Sequence, residues 1–165
     1  MSDILLNSLK EFYMRGDNKK KLLEIINNTN ISLRIIDWFV TNYSKKYNTS
    51  YFIKSNVLLD DDEILENAKQ FNVYYSYKTQ LKSYSKKKFD PFCRKERIMF
   101  NCKDYNIETT LGQLNFFKWA LDNMILEYIT ENYNHIENDM NVCFNKNKKN
   151  KTINKRKPRQ ELSKS

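Results

Sequence analysis

The stretch Thr110–Ile129, TLGQLNFFKWALDNMILEYI, decides the fold class. Thr110 followed by Gln113 is the capping-box pattern, in which a hydroxyl at the N-cap satisfies a free helical N–H and a side-chain amide three residues on returns the bond. Behind it, Leu114, Phe117, Leu121, Ile125, Tyr128 and Ile129 fall on one helical stripe, which predicts a long helix reaching about Asn132. Trp119 and Met124 lie off that stripe, so the helix is expected to be covered on more than one side.

Working outward, helical spacing recurs at Ile4, Leu5, Leu9, Phe12 and Tyr13, and again over Lys19–Asn28 after the break Gly16-Asp17-Asn18. Ser32 is a candidate N-cap for a helix to Lys46 carrying Leu33, Ile36, Val40 and Tyr43 on one stripe. Those two consecutive helices invite a helix-turn-helix reading beside the plainer one of a packed helix pair. Tyr51-Phe52-Ile53 reads as a short strand, and Asp60-Asp61-Asp62 as an acidic helix start ending near Gln70.

Phe71–Lys88 fits period two at Phe71, Val73, Tyr75, Tyr77 and Leu81, but also helical spacing at Val73, Tyr77, Leu81 and Tyr84; helix is favoured after Asn72. Asp90-Pro91 marks a turn that folds Phe89 and Phe92 back onto the body. Arg97–Cys102 is expected to be a strand, and Ile136–Val142 a final short turn of helix. The fold class is therefore α+β, a mostly helical small domain over residues 1–145 with a minor strand component. Residues 146–165, with nine basic groups and only Ile153 and Leu162 as large apolar residues, cannot build a core and are expected to form a disordered basic tail.

Composition supports this and excludes several classes. Hydrophobic residues make up 40% of the 165, too many for a wholly disordered chain. No apolar run is long enough for a membrane span, and Met1-Ser2-Asp3 does not open a secretory signal. Three cysteines without framework spacing suit a reducing compartment. Lysine (23) far exceeds arginine (6), and asparagine reaches 22, a bias expected of an AT-rich genome, so the placement of lysine informs more than its abundance.

Placement is uneven. Residues 1–70 hold ten basic and ten acidic groups, residues 71–145 ten and nine, and residues 146–165 nine and one, so the net +9 is mostly the tail's. Within the body, Lys78–Arg97 carries eight basic and two acidic groups, and Asp104–Asn145 one basic and seven acidic. The two segments either face different directions or neutralise each other.

Candidate sites follow from that distribution. Lys148, Lys149, Lys151, Lys155, Arg156, Lys157 and Arg159 can lie along a phosphate backbone and release its counterions, giving affinity without base specificity. Lys155–Arg159 also fits a nuclear localisation signal, and a merely solubilising terminus is the plain alternative. The second candidate is Lys78, Lys82, Lys86, Lys87, Lys88, Arg94, Lys95 and Arg97, interleaved with Tyr77, Tyr84, Phe89 and Phe92. A helix would set Lys78, Lys82 and Lys86 on one side to follow phosphates, and the aromatics would stack on unpaired bases unless they belong to the core. Cys93, Cys102, His135 and Cys143 offer soft metal ligands but no paired knuckle, and no metal or other cofactor is expected. Walker, dinucleotide, nucleophile-elbow and HExxH motifs are absent. The acids Asp60–Asp62 leave open an unconventional metal-dependent nuclease, but helix-end electrostatics accounts for them and the chain is read as a non-enzyme.

The runs Tyr77–Arg94 (YKTQLKSYSKKKFDPFCR) and Thr109–Ala120 (TTLGQLNFFKWA) resemble a small basic protein of nucleocytoplasmic large DNA viruses. The resemblance covers roughly residues 70–160. It implies a giant-virus source and a role in the virion, at the genome or in a viral factory, and it transfers no catalytic residue. The expected function is sequence-nonspecific nucleic-acid binding, with DNA favoured, in the host nucleus or a cytoplasmic viral factory, and other viral proteins as further partners. The rival expectation is a virion structural or protein-interaction module with an ancillary tail.

Overall fold

The computed structural model describes residues 2–27, 31–54, 57–59, 68–92, 96–102 and 105–146. Thr110 is extended, and its hydroxyl accepts the Gln113 N–H at 3.1 Å, so a helix begins where the capping pattern predicts. Gln113 does not complete the reciprocal bond. Its Oε1 accepts from the Thr109 hydroxyl at 2.5 Å and its Nε2 donates to the Pro91 carbonyl at 3.2 Å, tying a strand end and a distant turn to the helix start.

The helix does not run unbroken to Asn132. It comprises Leu111–Asp122, then Ile125–Glu131, then 133–146. At the first break Asn123 donates its side-chain amide to the Trp119 carbonyl at 2.8 Å, competing with the helical ladder, and Met124 turns left-handed at φ 55°. Burial of Met124 and a bond from the Tyr51 hydroxyl to the Asn123 carbonyl compensate for that turn. Redirected this way, each of the three pieces buries an apolar stripe, from Leu114 through Ile125 and Ile129 to Ile136 and Met140, and only the end of the last leaves Val142 and Phe144 exposed.

Numbered in chain order, α1 is Ser2–Tyr13, α2 Asn18–Ile26 and α3 Leu33–Trp38. The Ser32 hydroxyl caps α3 by accepting the Ile35 N–H at 3.2 Å. A π-helical turn, Phe39–Tyr43, joins α3 to α4, Ser44–Lys46, and the added residue lets Phe39, Val40 and Tyr43 all face inward. The helices after it are α5 (Val73–Lys88), α6 (Leu111–Asp122), α7 (Ile125–Glu131) and α8 (133–146). The α3 segment packs into the core through Ile35, Ile36, Phe39, Val40 and Tyr43, with Phe39 against Tyr128 and the π-turn against α5. The second member of the supposed helix-turn-helix pair is thus a core helix.

The strands are short and antiparallel. β1 (Ser50–Lys54) lies between β2 (Val57–Leu59) and β3 (Lys69–Asn72), with Phe52 opposite Leu59 and Tyr51 opposite Phe71. β4 (Ile98–Cys102) pairs with β5 (Tyr105–Thr109), Phe100 opposite Ile107. The fold is therefore mostly helical with a minor strand component, as expected. The acidic helix start at Asp60–Asp62 lies outside the described residues, but its predicted end does not hold, because Lys69 and Gln70 belong to β3.

The ambiguous stretch resolves as the favoured helix after Asn72: β3 ends at Asn72 and α5 begins at Val73, so the period-two reading through Val73, Tyr75, Tyr77 and Leu81 does not hold. The Asn72 side chain accepts the Tyr75 N–H at 3.0 Å and starts the helix. Near its end α5 kinks at Ser85 (φ 65°). Beyond the kink, Phe89 is fully buried against Phe116 and Trp119, whereas Phe92 stays exposed, contrary to expectation. The close approach of this segment to α6 explains Gly112. A Cβ there would sit 2.8 Å from the Lys87 carbonyl oxygen and 3.1 Å from Asp90 backbone atoms, none of which can swing aside.

Candidate nucleic-acid interface

On α5, Val73 is buried and Tyr77, Leu81 and Tyr84 pack on the core, which leaves Lys78 and Lys82 on the outer side. Tyr77, Tyr84 and Phe89 are thus core residues and not stacking platforms, and burial, foremost, raises the pKa of the Tyr77 hydroxyl above its ordinary value. The turn at Ser85 interrupts the predicted lysine stripe, so Lys86 does not continue the helical line of Lys78 and Lys82.

Ion pairing divides the basic segment further. Lys87 meets Glu96 at 2.6 Å and Arg97 meets Glu108 at 3.4 Å. Lys78, Lys82 and Lys86 are exposed and Lys88 half-buried, with no ion pair among the described residues. Arg94 and Lys95 lie outside the described residues, as do the tail candidates Lys148, Lys149, Lys151, Lys155, Arg156, Lys157 and Arg159.

The basic and acidic halves of the body do pack together, though mainly through neutral bonds. Asn115 donates to the Lys88 carbonyl at 2.9 Å and Gln113 Nε2 to the Pro91 carbonyl at 3.2 Å, while Arg97–Glu108 joins the two halves as an ion pair. Other acids of the later half are met elsewhere. Glu127 faces Lys21 at 3.9 Å, Asp122 faces Lys118 at 3.5 Å, and Asp139 binds Lys46 at 2.6 Å. Asp139 is buried, and burial alone would raise its pKa. Hydrogen bonds from Lys46, Trp38 Nε1 and the Tyr47 hydroxyl outweigh burial and hold its carboxyl below the usual range.

Beside this network the Tyr43 hydroxyl bonds His135 Nδ1 at 2.5 Å. That bond occupies one ring nitrogen of the histidine considered as a metal ligand. The side chains of Cys93 and Cys102 lie outside the described residues, among which no group of three or more His, Cys, Asp or Glu is placed to hold a metal.

Sequence reasoning missed Lys45, Tyr74 and Tyr75. The end of the α3–α4 segment meets the start of α5 around an open groove of about 460 Å³. There Lys45 Nζ lies 5.6 Å and Lys78 Nζ 6.0 Å from the centre of the Tyr74 ring, within cation–π range. Tyr75 beside them is 75% exposed. The signal of Tyr75 was legible, since it lies off the apolar stripe of α5, whereas Tyr74 sits at the edge of that stripe, three residues before Tyr77 and seven before Leu81, and reads as core. Lys45 belongs to another element and has no such signal.

A family of unknown function, DUF7197, matches residues 1–165. The chain belongs to DUF7197. A relative, the uncharacterized protein L507 of Acanthamoeba polyphaga mimivirus, is 42% identical over 159 residues, covering 86% of this chain. The chain spans 58% of that relative's length. The match places this DUF7197 chain among proteins of nucleocytoplasmic large DNA viruses, as the resemblance implied. No solved structure matches the chain. Among its described residues no helix is long and apolar enough to cross a membrane.

One acid under the basic helix gives a prediction independent of ligand. Asp37 on α3 is partly buried, and burial first, then the nearby Asp90 carboxylate, pushes its pKa from 3.8 up to about 6. A carboxyl raised in the folded state contributes stability that is complete below its unfolded pKa and lost as pH rises through the folded one. Asp37→Asn is therefore expected to stabilise the protein at neutral pH by about 1 kcal/mol, discounted for solvent screening. The gain should vanish near pH 3. Urea unfolding at both pH values checks this, since an equal gain at each would trace the effect to something other than ionisation.

Proposed function

We propose that the chain is a sequence-nonspecific nucleic-acid-binding protein of a large DNA virus, acting at the genome in the virion, the viral factory or the host nucleus. The observation that carries this reading is the set of lysines left without counter-charge on one helix. Lys78, Lys82 and Lys86 are exposed and make no ion pair among the described residues, while the neighbouring Lys87 and Arg97 have carboxylates of their own. Exposed unpaired cations can replace condensed counterions on a phosphate backbone, and the basic residues of 146–165 extend the same chemistry.

Labelled double-stranded DNA titrated with full-length protein should bind at low salt, with affinity falling by about 10³ or more between roughly 50 and 200 mM salt if six or more phosphates are contacted. Absence of binding at low salt overturns the proposal. The second reading, a protein-interaction module, draws on the β4–β5 hairpin, whose strands pair with each other and which leaves Met99 60% exposed. A partner held equally well at low and high salt would favour it.

A further inference from the structure

We propose that the groove between α4 and the first turn of α5 is a subsite for single-stranded nucleic acid, with one unpaired base stacked on Tyr75 and adjacent phosphates on Lys45 and Lys78. The inference deepens the nucleic-acid reading and rests on it. Three observations converge on the site. Tyr75 has most of its ring in water, although aromatic surface is costly to leave exposed and the rest of α5 places its aromatics at least partly under cover. Next to it, the Tyr74 ring has two ammoniums within cation–π range, those of Lys45 and Lys78, neither of which makes an ion pair among the described residues.

The third observation concerns the polar end of the groove. The Asn72 amide donates to Asn48 Oδ1 at 3.0 Å, which fixes the Asn48 carboxamide and leaves its Nδ2 hydrogens with no partner among the described residues. The groove thus offers the exposed ring of Tyr75, two cations held at the neighbouring Tyr74, and a pair of amide donors suited to carbonyl oxygens on a base edge. Bases inside a duplex are already stacked and cannot reach an isolated ring. A flexible single strand can turn one base onto Tyr75 while its phosphates remain beside the lysines.

The test uses the full-length chain and two labelled probes, an oligothymidylate and a blunt duplex of matching length. Tyr75→Ala should weaken oligothymidylate binding by about 5- to 100-fold, the range for loss of one base–aromatic stack, and leave the duplex within about twofold. Tyr75→Phe, which keeps the ring, should bind both probes like the parent, and because Tyr75 is exposed both variants should unfold at the parent's midpoint. Lys45→Gln with Lys78→Gln should also weaken the single strand and flatten its salt dependence. Duplex binding with no oligothymidylate binding, or a Tyr75→Ala loss that is equal for both probes or absent, overturns the subsite while the nucleic-acid reading stands. If neither probe binds at low salt, both fail.

Discussion

Deletion of residues 146–165 is expected to remove most of the affinity for duplex DNA and most of its dependence on salt. The segment carries nine basic groups and one acidic group, whereas residues 1–145 hold twenty and nineteen. Each phosphate neutralised contributes about 0.9 to the slope of log affinity against log salt. If six of the nine cations meet phosphates, the slope should fall by about 5, and affinity at low salt by several orders of magnitude. What remains reports on the body. In the truncated protein, reversing Lys78, Lys82 and Lys86 to Glu should reduce the residual binding if α5 faces the nucleic acid. An unchanged residual, with the unfolding midpoint intact, would make those lysines an ordinary solvated face. A full-length slope that survives truncation would move the electrostatic contact off the terminus altogether.

Phe89→Ala should be among the most damaging single changes in the chain, at about 3–5 kcal/mol. The ring is fully buried, with centroids 5.4 Å from Phe116 and 5.6 Å from Trp119, and it also meets Tyr77 at 6.1 Å and Tyr84 at 6.3 Å. Its removal opens a cavity among rings too rigid to collapse into it, because each is held by further neighbours. The midpoint of thermal unfolding should fall by roughly 6–20 °C. Phe89→Leu, which keeps most of the volume, should cost less than half as much. A loss under about 1 kcal/mol for the alanine variant would show that the segment after α5 is not anchored by this ring.

Much of the fold was legible because its signals are local. Ser32, Asn72 and Thr110 each precede an apolar period, and each caps a helix. The strands were harder. β2 and β5 have three and five residues, and what makes them strands is pairing with β1 and β4, which single-sequence periodicity does not carry. The break at Met124 was hidden for a related reason. Leu121, Ile125 and Tyr128 continue the stripe across it, and the left-handed turn is selected by the Asn123 side-chain bond to Trp119, the packing of Met124 and the Tyr51 bond to the Asn123 carbonyl.

The candidate interface was half legible. Lysine spacing placed Lys78 and Lys82 on one side of a helix, but which cations keep a free charge depends on where Glu96 and Glu108 fall in space. Of the aromatics the sequence offered as stacking rings or core residues, Tyr77, Tyr84 and Phe89 face the core and Phe92 is exposed, while the ring that meets Lys45 and Lys78 is that of Tyr74, which the sequence did not single out.

The missing side chain at Gly112 sets how such a surface can change over time. Because the α6 backbone rests directly on Lys87 and Asp90, the end of the lysine-bearing helix is positioned by the interior and not by its own charges. Lysines along it are then free to be exchanged, added or lost without disturbing their mounting. A side chain at 112 would shift the whole ridge at once, so divergence in this family should run freely through the charges and stall at that one glycine.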